Sequence, residues 1–174
     1  AQLSFVAAVT VGDLVAHLLP SCTVQLKWPN DVLCDGKKIS GILLEAGPSG
    51  AFGVEWLTVG IGLNVAAKPV SRADATSLRD EGDNISGVES VIAGFSERFL
   101  VWYRAWQAQG FETIRDAWLT RAHGLSGPIR IRLHSGTVDA IFDGVDATGA
   151  LLAQMSDGSS RRVTGGEVHF GRSC

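Results

Sequence analysis

The stretch from Thr23 to Glu45, TVQLKWPNDVLCDGKKISGILLE, constrains the fold more than any other part of the chain. Its first residues alternate. Val24, Leu26 and Trp28 take one side and Thr23, Gln25 and Lys27 the other, the pattern of a half-buried strand. Pro29 cannot donate to a ladder, so pairing should end there and leave Asn30 and Asp31 on the turn just past the strand. Short polar side chains are common in turns, and taken alone this pair is accounted for by an Asx turn. A second turn signal, Asp35-Gly36, leads into Lys37-Lys38 and then a nearly all-apolar run, Ile39 to Glu45. That run suits a central strand covered on both faces. Lys37 reads as a solvated hairpin tip. Lys38 enters the apolar strand beside Ile39, Gly41 and Leu43, a costly place for an ammonium unless it meets an anion.

A third strand is expected over Leu57 to Asn64. Gly60 and Gly62 fall on one face of it, and Asn64 follows on the same parity. Two glycines spaced by two weaken a strand, but they clear a strip of backbone on which a ligand can lie flat. The alternative is a bulge, which explains one glycine more easily than two. No third glycine or helix start follows, so this is not a dinucleotide-binding fingerprint.

Around this centre the sequence suggests an α+β chain. Phe5, Val9, Leu14 and Leu18 recur about every four residues before Pro20, marking a buried helix over residues 3–19 with His17 at its end. That segment is too short and too polar for a comfortable membrane span, and no signal-peptide pattern precedes it. Residues 65–86 read as loop, with Ala75-Thr76-Ser77-Leu78 inside. Val91, Phe95, Phe99, Trp102 and Trp106 mark an amphipathic helix, and Ile114, Trp118 and Leu119 a second. These aromatics read as core. Gly124 to Pro128 then divides residues 1–125 from residues 126–174, where the period changes to two. Ile129, Ile131 and Leu133 alternate with Arg130, Arg132 and His134, and turns are expected at Ser135-Gly136, Asp143-Gly144, Asp157-Gly158 and Gly165-Gly166. Four or five short strands in so few residues suggest a small closed barrel, SH3-like in size.

Charge excludes little but is informative. The net charge of −3, and the balance of Arg130, Arg132, Arg161, Arg162 and Arg172 against Asp139, Asp143, Asp146, Asp157 and Glu167, argue against a dedicated nucleic-acid surface. Cys22, Cys34 and Cys174 have neither a CxxC spacing nor an even count, and they read as reduced thiols of a cytosolic protein.

Taken together, Asn30, Asp31, Lys38 and Asn64 provide one carboxylate and two amides able to hold a hydrated Mg2+, with a lysine to neutralise a phosphate. The glycine strip lies beside them. Attack of a carboxylate on a nucleotide α-phosphate needs such charge neutralisation, alignment and a dry floor.

The combination KWPND, hairpin turn, KKISGILLE and GIGLN resembles the central signature of biotin protein ligases, and the likeness runs over essentially the whole chain. The resemblance implies a catalytic core like that of class II aminoacyl-tRNA synthetases over 1–125, followed by an SH3-like β-barrel over 126–174. It implies an enzyme that makes biotinyl-adenylate from biotin and ATP, with Mg2+, and passes biotin to a lysine of a carboxylase's biotin carboxyl carrier domain. The family's essential lysine falls on Lys38. Its phosphate and magnesium contacts fall on Asn30, Asp31 and Asn64, with Asn30 and Asp31 as metal ligands. Its biotin pocket falls on Lys38, Gly41, Ile42, Leu43, Gly60 and Gly62. A cytoplasmic protein, with no membrane and a possible homodimer, is implied. Nucleic acid enters only through an upstream DNA-binding module of the kind some relatives carry.

One departure stands out. The family's glycine- and arginine-rich loop precedes the helix that opens this chain, and no GRGRR-like stretch occurs in it. The chain starts at Ala1 and its one methionine is Met155, so it is expected to begin inside a longer protein and to be inactive without the upstream loop. Two other readings stay open: a lipoate or other acyl-protein ligase on the same core, and a non-catalytic module that binds biotin or a partner without adenylating.

Overall fold

The computed structural model describes residues 1–50, 53–83, 87–133, 136–165 and 167–171. His134, Ser135, Gly166, Arg172 and Cys174 lie outside the described residues. Helix α1 (Gln2–Leu18) opens the chain. A run of strands follows: β1 (Val24–Lys27), β2 (Asp31–Cys34), β3 (Lys37–Ala46), β4 (Ser49–Gly50), β5 (Gly53–Val54) and β6 (Leu57–Leu63). Then come helices α2 (Val88–Gln109) and α3 (Phe111–Leu119). Strands β7 (Pro128–Leu133), β8 (Gly136–Val145), β9 (Leu151–Gln154), β10 (Ser160–Val163) and β11 (Glu167–Phe170) complete a mixed α+β architecture.

The first sheet is antiparallel in the order β1-β2-β3-β6. Helix α1 lies between this sheet and the pair α2 and α3. This explains why it is apolar nearly all round: residues Phe5 to Gly12, Leu14 and Val15 are all buried. His17 is exposed in its last turn, as expected for a helix-terminus histidine. The aromatics of α2 pack against the core, and two of them also tie α2 to α1. The Trp102 indole donates to Asp13 (2.7 Å) and that of Trp106 to Gln2 (2.9 Å).

The second sheet has the order β10-β9-β8-β7-β11. It shares one core with the first. The Trp28 indole donates to the Gly149 carbonyl at 3.0 Å, and the rings of Phe5, Trp118, Phe142 and Phe170 form a chain of contacts from α1 and α3 to β8 and β11.

Four expectations need correction. Asp31 is not in the turn: it opens β2 and pairs with Lys27, leaving Trp28, Pro29 and Asn30 as the connection. Strand β3 is covered on one face, where Ser40 and Ile42 are buried; on the other, Leu43 is 59% exposed, with no described element over it. Asp143-Gly144 is not a turn but a register shift inside β8, where Gly144 takes a positive φ. The turn falls at residues 146–149, organised by the Asp146 carboxylate, which accepts from the Thr148 and Ala150 amides. Finally, Cys22 and Cys34 are joined by a disulfide rather than held as free thiols. The β1–β2 hairpin brings them together: Cys34 pairs with Val24, two residues after Cys22, so their Cα atoms are 5.8 Å apart.

Candidate active site at the head of β3

The site begins with a bulge. Val32 pairs with Ser40 but Leu33 pairs with Lys38, so Ile39 is an extra residue in β3. Strict alternation would send Lys38 to the buried face with Ser40 and Ile42. The extra residue brings it instead to the face of Gly41. A Cβ placed on Gly41 would lie 3.1 Å from both Cε and Nζ of Lys38, so this position is open for the lysine to cross. The ammonium rests on the Asp31 carboxylate, with the two side chains 28% and 20% exposed. Apart from Lys38, Asp31 Oδ1 has no hydrogen-bond partner among the described residues.

Beyond Lys38 runs a bare strip. Gly41 pairs with Gly62 and Leu43 with Gly60, and this row is the uncovered face of the sheet. The β3–β6 register is continuous, so neither Gly60 nor Gly62 marks a bulge. Neither has a positive φ, and a Cβ on either would meet nothing closer than 3.7 Å. Backbone geometry and packing therefore do not require these glycines; an open floor does.

Each of the two asparagines holds a main-chain carbonyl through its side-chain N–H. The Asn30 side-chain amide donates to the Ile42 carbonyl (2.6 Å), and the Ile42 amide donates to the Asn30 carbonyl (2.9 Å). The Asn64 side chain donates to the Thr76 carbonyl at 2.8 Å. Both are clamps on main chain that position Lys38 and its surroundings. Ile42 is a correction of a different kind: its side chain is 2% exposed in the core and its main chain is tied to Asn30. Leu43 and Gly41, by contrast, face the open strip.

The segment read as plain loop supplies what the sequence missed. The Lys38 amide donates to the Asp74 carbonyl and the Thr76 amide to the Lys38 carbonyl, both at 2.8 Å, in a short parallel bridge at Ala75. Arg72 and Asp74 are thereby set beside Lys38, joined through Arg72 Nε and Nη2 at 3.0 and 2.6 Å. The Arg72 hydrogen bond holds the Asp74 carboxyl down at about 2. Lys38 divides two small clefts. One, of about 170 Å³, is lined by Lys38, Ser40, Gly41, Gly62, Asn64 and Arg72. The other, of about 80 Å³, is lined by Lys27, Asp31, Lys38, Arg72, Asp74 and His123. Burial, with Lys27 adding to it, pushes the His123 imidazole below its ordinary value. Nothing in the sequence marks this arrangement, since loops carry no periodic signal. Lys37 is 53% exposed and lies 3.5 Å from Glu81, a surface pair.

A lysine–carboxylate pair at the end of an uncovered glycine strip can bind an elongated ligand with an anionic end. Comparison with known proteins shows the family of the chain. The model of the "Biotin/lipoate A/B protein ligase family" matches residues 1–120, and that of the "Biotin protein ligase C terminal domain" matches residues 128–171. The chain belongs to the biotin/lipoate A/B protein ligase family. Among members of that family, it is 37% identical over 178 residues to the biotin–[acetyl-CoA-carboxylase] ligase of Paracoccus denitrificans, covering 98% of this chain and 73% of that protein. It is 30% identical to the bifunctional ligase/repressor BirA of Bacillus subtilis, covering 98% of this chain and 53% of that protein. The fold is that of biotin protein ligase from Aquifex aeolicus in its apo structure: TM-score 0.81 at 24% identity, over 99% of this chain and 75% of that one.

Proposed function

We propose that this protein activates biotin with ATP and transfers it, through biotinyl-AMP, to a lysine of a biotin carboxyl carrier domain. The observation that carries the reading is Lys38, redirected by the β3 bulge onto the open face, at the end of the strip formed by Gly41, Gly62 and Gly60. Biotin would lie along that strip with its carboxylate toward Lys38. Its carboxylate oxygen attacks the α-phosphorus and pyrophosphate leaves. Lys38, close to both reacting groups, offsets their mutual repulsion and the charge that develops in transfer. The carrier amine then attacks the acyl carbon, AMP departs, and the amine loses its proton.

Asp31 fits a magnesium ion that is held mainly by substrate phosphates, because its Oδ1 offers an acceptor to which only Lys38 is joined. Asn30 donates its Nδ2 to the Ile42 carbonyl, which fixes the side chain and leaves its Oδ1 as an oxygen donor for the same ion. Magnesium, when bound, would neutralise phosphate charge.

We read residues 1–125 as the catalytic domain, with a class II synthetase-like core, and 126–174 as an SH3-like domain. A cytoplasmic location and a homodimer belong to the same reading. No helix among the described residues is long and apolar enough to cross a membrane. Lipoate is the second candidate acyl group, since the family takes in both; the match of residues 128–171 to a biotin ligase C-terminal domain favours biotin. The test is the mass of an acceptor carrier domain incubated with the native protein. It should gain one biotinyl group only when ATP and biotin are both present, and none with lipoate. Lipoylation instead would replace this reading with its alternative.

A further inference from the structure

Arg72 lines both clefts that flank Lys38. It is not on a loose tether. The loop that bears it is bonded to the main chain of Lys38 on both sides and held by Asn64, the residue after β6. The guanidinium is half exposed, and two of its nitrogens fork onto Asp74, two residues away. An exposed pair of this kind adds little to stability. Its geometry, a planar fork meeting two oxygens, is also the geometry by which arginine takes two phosphate oxygens. Lys38 stands in the same relation to Asp31. The clefts therefore hold two cations each parked on a carboxylate, with Lys27 as a third cation in the smaller cleft.

A nucleotide polyphosphate carries more negative charge than one lysine neutralises. We propose that Arg72 is a second phosphate-binding residue, and that Asp74 is the place-holder it leaves when the polyphosphate arrives. This rests on the adenylation reading above and assigns a residue within it. Asp74 lies in the smaller cleft with Arg72 but not in the larger one, so release would turn the fork toward Lys38 and the strip.

The test uses the native protein with Arg72→Gln, Arg72→Lys and Asp74→Asn, measuring ATP binding by calorimetry, KM values in pyrophosphate release, and melting temperature. Arg72→Gln should weaken ATP binding about tenfold or more, the scale of a lost charge-assisted pair. Biotin affinity and melting temperature should hold. Arg72→Lys should recover part of the loss, because charge returns without the fork. Asp74→Asn should leave ATP affinity unchanged or improve it. If the pair merely fastens the loop, Arg72→Gln and Asp74→Asn will act alike, weakening both substrates and lowering the melting temperature, and the proposal falls. Unchanged ATP binding in Arg72→Gln overturns it as well. Binding of ATP that depends on Arg72 but yields no biotin-dependent pyrophosphate would support the phosphate site and overturn the adenylation reading instead.

Discussion

Lys38 reaches Asp31 although the two are not partners in the sheet: Asp31 faces Gly41, and Lys38 faces Leu33. The bulge at Ile39 and the missing side chain at Gly41 make the contact. Lys38→Ala should therefore lower the rate of adenylate formation by about 10²–10³, the scale of removing one transition-state donor. Lys37→Ala, which loses only a surface pair with Glu81, should change it little. Pyrophosphate release from the two variants, measured side by side, checks this. Equal losses would mean that the basic pair acts as a patch and not through one ammonium.

The crossing also makes a prediction for Gly41. A methyl there would sit 3.1 Å from the lysine terminus, and the lysine is flexible enough to move away. Gly41→Ala should thus leave the folding stability within about 1 kcal/mol of wild type yet cost rate, because Lys38 loses its path to Asp31. A variant with full activity would show that this path is not used.

Gly62 tests the floor. Its Cβ would meet only the Gly41 carbonyl, at 3.8 Å, and its φ is ordinary, so valine is tolerated by the fold. In a strand valine is also the better residue by propensity. Gly62→Val should hold or raise the melting temperature while weakening biotin binding sharply by calorimetry. Normal biotin affinity in this variant would show that the strip is not the biotin floor.

Much of this was legible in the sequence, and the limits have physical causes. The helix over residues 3–19, the strand ahead of Pro29 and the glycine parity of β6 follow from period alone. The face of Lys38 does not, because one inserted residue reverses parity and a bulge leaves no sequence mark here. The open face of β3 at Leu43 does not follow either, because an apolar residue does not report whether anything covers it. That Asn30 and Asn64 also clamp main chain does not follow from pattern, because the carbonyls they hold, Ile42 and Thr76, are each 12 residues away. Arg72 and Asp74 carry no sequence signal because their position depends on a loop whose path is set by hydrogen bonds rather than by pattern.

His123 sets an expectation for pH. It is partly buried, its Nδ1 lies 3.2 Å from Gln25 Oε1, and burial together with Lys27 pushes its pKa below the ordinary 6.5. A folded-state pKa below the unfolded value means that the unfolded chain binds the proton more readily. The stability contributed is complete above about 6.5 and is lost as pH falls from there toward the folded value. Melting temperature should decline over that window on acidification, and His123→Gln should flatten the decline. An unaltered slope in His123→Gln would assign it to other groups.

The central claim is that biotin is activated as its adenylate before transfer, and isotope labelling tests it most directly. With biotin carrying ¹⁸O in its carboxylate, the native protein, ATP and an acceptor carrier domain, attack on the α-phosphorus leaves one of those oxygens on the phosphate when the carrier amine displaces AMP. The AMP recovered should therefore carry one ¹⁸O for each biotin transferred, with pyrophosphate as the other product. Unlabelled AMP, or ADP and inorganic phosphate in place of AMP and pyrophosphate, would contradict the account.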